Sequence, residues 1–155
     1  MNTIRVETEI DAPAALVYEV LTDFDAYPEW NDYTRIQGEA ASGERLTVRP
    51  GPAAGSAPTF RPTVRQADGR ELRWVGHLWV RGLFDGEHGF RVRDVDGERS
   101  VLVQDERFAG LLAGVLFRRY GDDWTATFRA VNEALRDRAE SLATERAGDP
   151  VPNAS

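Results

Sequence analysis

The feature that most restricts this chain is one long amphipathic helix at the end of a run of strands. Trp124, Phe128, Val131, Leu135, Ala139 and Leu142 recur at spacings of three and four, and Asp122 or Asp123 can cap the segment. Arg129, Glu133, Arg136 and Glu140 fall mostly on the other side. Ahead of it, Tyr33 to Phe108 reads as β structure in six segments, 33–40, 44–50, 58–67, 70–80, 83–93 and 98–108. Asp68-Gly69 and Asp96-Gly97 are hairpin signals, because such turns need positive φ. A sheet must bury one face, and the last helix is the only long apolar surface available to cover it. The expected architecture is therefore α+β.

The opening is distinctive. Ile4, Val6, Thr8 and Ile10 alternate with Arg5, Glu7 and Glu9, which predicts a half-buried first strand. Asp11-Ala12-Pro13 stops it, and Leu16, Val17, Val20 and Leu21 then follow at helical spacing. A second short, ring-rich helical turn covers Phe24 to Asn31. Near the other end, Gly110 to Phe117 is too apolar for a loop and reads as a helical turn. A kink near Gly121 then separates it from a long helix over about 123–146. Pro62 marks an edge, a bulge or a bend. The expectation is seven antiparallel strands in one domain, residues 1–147, with Trp124, Phe128, Val131 and Leu135 facing the sheet and a disordered tail at 148–155.

Composition excludes several kinds of chemistry. A chain of 155 residues without cysteine has no disulfide, thiolate nucleophile, zinc ribbon or iron–sulfur cluster. Lysine is absent too, so Schiff-base chemistry is excluded; all 19 basic residues are arginine. Against 26 acidic residues they leave a net charge of −7, poorly suited to a nucleic-acid backbone, so no nucleic-acid partner is expected. No apolar run approaches the roughly 18 residues of a membrane span, and Met1 to Val6 lacks a signal-peptide core. A cytoplasmic protein without membrane insertion is the expectation. Excess acid with arginine in place of lysine suits a GC-rich genome, either through codon bias alone or in a salt-loving organism.

Several motifs resemble those of the START-related (SRPBCC) superfamily, which includes polyketide cyclase/dehydrase-like proteins. Ile10-Asp11-Ala12-Pro13 with Val17-Tyr18-Glu19-Val20-Leu21-Thr22-Asp23 is similar to the family's opening, and Tyr27-Pro28-Glu29-Trp30-Asn31 resembles its Y-P-x-W-N box. Trp74-x-Gly76, Gly86-Glu87-His88-x-Phe90, Glu106-x-Phe108-x-Gly110 and Asn132-x-x-Leu135 resemble its later signatures. The resemblance covers about residues 3–145; Tyr18 replaces a usual tryptophan, and Asp32 stands where proline often follows. It implies a helix-grip fold, a curved seven-stranded sheet around the C-terminal helix with two short helices after the first strand. It also implies a cavity between sheet and helix, lined by Phe60, Trp74, Phe90 and Phe108, with Leu116 and Phe117 near the mouth.

His88 is the titratable residue of most interest, since it shares a face with Phe90 and Val92. A Val95–Gly97 loop would set it opposite Gln104 with Glu106 on the same face; an Asp96-Gly97 loop would set it opposite Asp105 with Glu106 turned away. The resemblance favours the first, with Gln104, Glu106 and Phe108 inward. A His88–Glu106 pair can hold a proton, orient a ligand hydroxyl or act as acid and base, or serve as a buried structural hydrogen bond. Asn31 is expected to bond backbone groups at a turn. His77 and His88 stand apart from each other and lack metalloprotease spacing, so neither metal nor other cofactor is expected. The resemblance implies binding of a small hydrophobic molecule, whether lipid, aromatic polyketide or terpenoid. Its alternatives are a cyclase or dehydratase using His88 and Glu106, and a partner-binding module of the same fold.

Overall fold

A computed structural model describes residues 2–148. The order is β1 (Asn2–Ile10), α1 (Ala14–Thr22), a 3₁₀ turn (Phe24–Glu29), β2 (Thr34–Gln37), β3 (Thr47–Pro50), β4 (Thr63–Ala67), β5 (Glu71–Leu78), β6 (Phe84–Asp94), β7 (Ser100–Ala109) and α2 (Ala113–Gly148), with a one-turn 3₁₀ segment at Pro52–Ala54. The fold is α+β, with the long C-terminal helix packed on an antiparallel sheet and two short helical segments after the first strand, as expected.

The seven strands divide into five and two. Five run in the order β1-β7-β6-β5-β4, and β2 pairs with β3 separately. Bridges at Arg45–Thr63 and Val48–Phe60 join the two sheets, supported by backbone bonds from Leu46 N to Pro62 O and from Val48 N to Phe60 O. Pro62 lies in this crossing, just ahead of the edge strand β4, where its missing N–H removes nothing from the ladder. Segments 44–50 and 58–67 are accordingly regular strand only from Thr47 and from Thr63.

Turn chemistry sets the hairpins. Asp68 accepts from the Glu71 N–H, from Gln66 Nε2 and from the Arg70 N–H, and these bonds hold its carboxyl below the usual carboxylate range. Gly69 takes φ +90 beside it. The β6–β7 turn is longer than either expected loop. Asp94 pairs with Ser100 and Val95 N donates to Arg99 O, with Asp96 Oδ1 accepting from Glu98 and Arg99. Another difference lies at the end of β5, which stops at Leu78 rather than Val80. Trp79 adopts φ +65, a left-handed conformation that ends the ladder.

The helix is also longer than its pattern suggested. It runs unbroken from Ala113, absorbing both the expected turn at 110–117 and the gap before 123. Gly121 is buried inside it with the Phe117 ring 3.6 Å from where a Cβ would stand, and Thr125 Oγ1 donates back to its carbonyl. Asp122 and Asp123 are exposed mid-helix residues rather than caps. Val131 and Leu135 are buried against the sheet as expected, while Trp124 and Phe128 are half-buried. Gly148, assigned to the tail, closes the helix; the rest of the tail lies outside the described residues.

Two apolar clusters share the interior. The larger joins α1, the 3₁₀ turn, the β2–β3 pair, the inner face of β4–β7 and the C-terminal half of α2. A smaller one holds Ile4, Val6, Phe84, Phe108 and Ala113, with Phe117, Trp124 and Phe128 against it. On the sheet's other face Arg73 bonds Asp105 at 2.8 Å. Burial opposes the charge on Arg73, but Asp105, Glu87 and Glu71 together outweigh it and hold its pKa above the ordinary value.

Candidate functional site

A cavity of about 280 Å³ lies between the sheet, the β2–β3 pair and α2. It exists because the strands present rings inward at period two, while the helix presents Trp124, Phe128, Val131 and Leu135 from the opposite side. Leu21, Tyr27, Trp30, Ile36 and Val48 close the remaining wall. Most of the lining is apolar. The exception is a connected polar group at the centre of β6 and β7.

That group has a definite direction. Asn132 Nδ2 donates to Val6 O and Thr8 Oγ1 at 3.3 and 3.2 Å, so its Oδ1 is left to accept. Gln104 Nε2 donates to that oxygen at 2.7 Å and to Phe128 O at 3.1 Å. With its amide oriented in this way, Gln104 Oε1 can only accept, so His88 Nε2, 3.0 Å away, must carry a hydrogen. His88 Nδ1 meets Glu106 Oε2 at 3.0 Å, a contact that requires one further proton between the two atoms. Both imidazole nitrogens are thus engaged by protein. Glu106 Oε1 has no partner among the described residues, and it lies 2.8 Å from where a Cβ on Gly86 would stand. A side chain at position 86 would push this oxygen aside.

Rings also enclose the imidazole. Trp74 stacks on His88 at a centroid distance of 5.1 Å and 22° between planes, and Phe90 and Phe128 lie at 4.8 and 5.0 Å. This arrangement can present a carboxylate oxygen, backed by a shared proton, to a polar atom on an otherwise apolar guest.

The expected residues fall unevenly around the cavity. Phe60, Trp74, His88, Phe90, Gln104, Glu106 and Phe108 line it, whereas Phe117 does not; it packs on Phe108 at 5.8 Å and beneath Gly121, in the smaller cluster. The register differs from both expected alternatives. His88 pairs directly with Glu106, and Gln104 pairs with Phe90. Three residues are shared between the faces correctly even so, because a register shifted by two keeps every side chain on its side. Sequence reasoning missed Asn132 as the anchor of the network, although a polar residue between Phe128 and Leu135 on the apolar helix face was the available signal. Asn31 Oδ1 accepts from the N–H groups of Tyr33 and Thr34, in keeping with the expected turn. Its Nδ2 has no partner among the described residues. No group of three metal-ligating side chains occurs among the described residues.

The scaffold is an α+β helix grip that encloses an aromatic cavity with one oriented polar group. The chain belongs to the polyketide cyclase / dehydrase and lipid transport family, whose model matches residues 1–145. Similar solved structures include a hypothetical protein of Helicobacter pylori (TM-score 0.72, 14% identity, 88% of this chain and 87% of that one). A START superfamily protein of Mycobacterium smegmatis has TM-score 0.65 at 19% identity, covering 90% of this chain and 98% of that one. A norcoclaurine synthase mutant of Thalictrum flavum, bound to a transition-state analogue, has TM-score 0.66 at 15% identity, covering 94% and 96%. At these identities the likeness is one of fold. No curated protein matches the chain at a significant level.

Proposed function

We propose that the protein binds a small hydrophobic molecule in this cavity, with a hydroxyl group of the guest directed at the Glu106–His88 pair. The observation that carries the reading is the coexistence of an unfilled space of about 280 Å³, aromatic walls and one oriented polar group. Ligand sites commonly occupy about 300–1,000 Å³, so the guest belongs at the small end, as a few fused rings or a short isoprenoid. Apolar burial at roughly 25 cal/mol per Å² supplies affinity, and the polar contact fixes orientation. Phe60, Trp74, Phe90, Phe108 and Phe128 are the apolar contacts, and Glu106 Oε1 is the contact for a donor.

A second reading is catalytic. The proton held between His88 Nδ1 and Glu106 Oε2, with Oε1 free beside it, is an arrangement suited to acid–base work on a bound ring system. The family's cyclase and dehydrase members lend it support. A partner-binding module would also keep both His88 nitrogens on protein, but it gives no reason for the unfilled cavity beside them.

The test is calorimetric titration with 1,8-dihydroxyanthraquinone, a flat ring system carrying hydroxyl and carbonyl groups. Glu106→Gln keeps the shape and can still donate to His88 Nδ1. It should weaken binding about tenfold or more, the worth of a hydrogen bond to a charged group, with little change in melting temperature. Unchanged binding with a lower melting temperature would make the pair purely structural.

A further inference from the structure

Five of the six large apolar side chains that stand exposed among the described residues gather at one end of the molecule: Trp79, Val80, Leu111, Val115 and Tyr120. Two neighbouring segments bring them there. Leu111 N donates to Gly82 O at 3.0 Å and Leu112 N to Leu83 O at 2.8 Å, so the β5–β6 loop and the loop entering α2 are stitched side by side. Gly110 makes the approach possible, since a Cβ there would stand 2.6 Å from Leu83 O. Leu111 is 84% exposed and Trp79 66% exposed, and Trp79 is held in a left-handed conformation that costs free energy. That side chain makes no hydrogen bond and no ring–ring contact among the described residues.

The charged residues of the two segments that carry these side chains are all basic. Arg81 follows Val80, and Arg118 and Arg119 follow Val115 by one helical turn; all three are exposed. None of them has a carboxylate within ion-pair distance among the described residues. Neither Trp79–Phe84 nor Gly110–Gly121 contains an acidic residue, in a chain of net charge −7. The carboxylates closest in sequence are Asp85, turned onto the loop's own Gly82 N–H, and Asp122 and Asp123, which follow Arg118 and Arg119 by one helical turn on the same faces of α2, further from the tip and without an ion pair to them. Leu78 and Phe84, which flank the loop, line the cavity.

We infer that this end docks on the surface of an anionic lipid bilayer. Apolar tips including a tryptophan, ringed by arginines, match the boundary between acyl chains and negative headgroups. An acidic protein surface would satisfy the arginines but would offer no apolar depth for Trp79, Val80 and Leu111. Docking is peripheral, since no helix among the described residues is long and apolar enough to cross a membrane. The docking stands on the exposed side chains alone; that it sets the cavity's end against the membrane, for loading or release, rests on the ligand-binding reading.

Co-sedimentation of the full chain with vesicles tests it. The chain should pellet with vesicles of phosphatidylglycerol and phosphatidylcholine and stay in the supernatant with phosphatidylcholine alone. Trp79→Asn with Leu111→Ser should abolish pelleting without lowering the melting temperature, because both side chains are exposed and asparagine tolerates the left-handed backbone. Arg118→Gln with Arg119→Gln should weaken it about fivefold per arginine and flatten its salt dependence. Absence of pelleting with the anionic vesicles, equal pelleting of parent and variants, or loss of the patch into a concentration-dependent dimer would each overturn the inference. Pelleting with no uptake of 1,8-dihydroxyanthraquinone would leave the docking standing and remove the cavity reading.

Discussion

At the scale of single residues, direction matters more than proximity. His88 and Glu106 could be picked from the sequence as a pair, but the state of His88 is decided by Gln104 on β7 and Asn132 on α2, two neutral amides whose orientation is set from β1. Such a chain is illegible in sequence because each amide's orientation depends on a partner distant along the chain. Tyr27 makes the complementary point. It is buried, its hydroxyl donates to Leu21 O, and burial together with the charge of Asp23 pushes its pKa well above the ordinary tyrosine value. The folded state therefore keeps its proton at pH values where the unfolded chain has lost it. Tyr27's contribution is complete below about pH 10 and declines above it by about 1.4 kcal/mol per pH unit. Tyr27→Phe should cost about 1 kcal/mol at neutral pH for the lost hydrogen bond and make the alkaline decline shallower. Denaturant midpoints measured from pH 8 to 11 check this, and parallel curves for the two proteins would contradict it.

At the scale of elements, period was readable and ends were not. Alternation placed β1 and β5–β7, and the spacing of Phe128, Val131 and Leu135 gave the helix its inner face. The start of α2 was missed because Gly121 and the paired aspartates looked like a break. In the fold, Gly121 instead sits in a continuous helix with the Phe117 ring packed beside it. The β6–β7 turn was misjudged because Asp94 and Asp96 both cap backbone N–H groups, which stabilises a five-residue turn over a two-residue one. The same helix face serves two purposes, and truncations should separate them. Leu135 is fully buried, so Leu135→Ala should cost about 2–5 kcal/mol. Phe128 borders the existing cavity and is half-buried, so Phe128→Ala should cost less stability while altering ligand affinity more. Thermal and chemical denaturation of the two variants would decide; a larger loss for Phe128 would mean it packs as core.

At the scale of the whole molecule, charge and cavity are the properties to test. The net charge of −7 implies self-repulsion that added ions screen over distances falling from about 30 Å at 0.01 M to about 3 Å at 1 M. Exposed pairs such as Arg91–Glu71 and Arg146–Glu19 are weakened by the same ions. With more acid than base to screen, the melting temperature should rise between low and molar sodium chloride, and a flat or falling curve would count against salt adaptation. The order of elements and the family motifs made the α+β helix-grip architecture legible, because each motif sits at a strand or helix boundary that the fold requires. The cavity was legible only through resemblance, since an unfilled space depends on how far α2 stands from the sheet. The most direct measurement of the central claim is native mass spectrometry of the chain purified without organic solvent. The account predicts a non-covalent small-molecule adduct, or a one-to-one complex on adding 1,8-dihydroxyanthraquinone, with the complex weakened by Glu106→Gln. A bare chain that takes up no such molecule while remaining folded would contradict it.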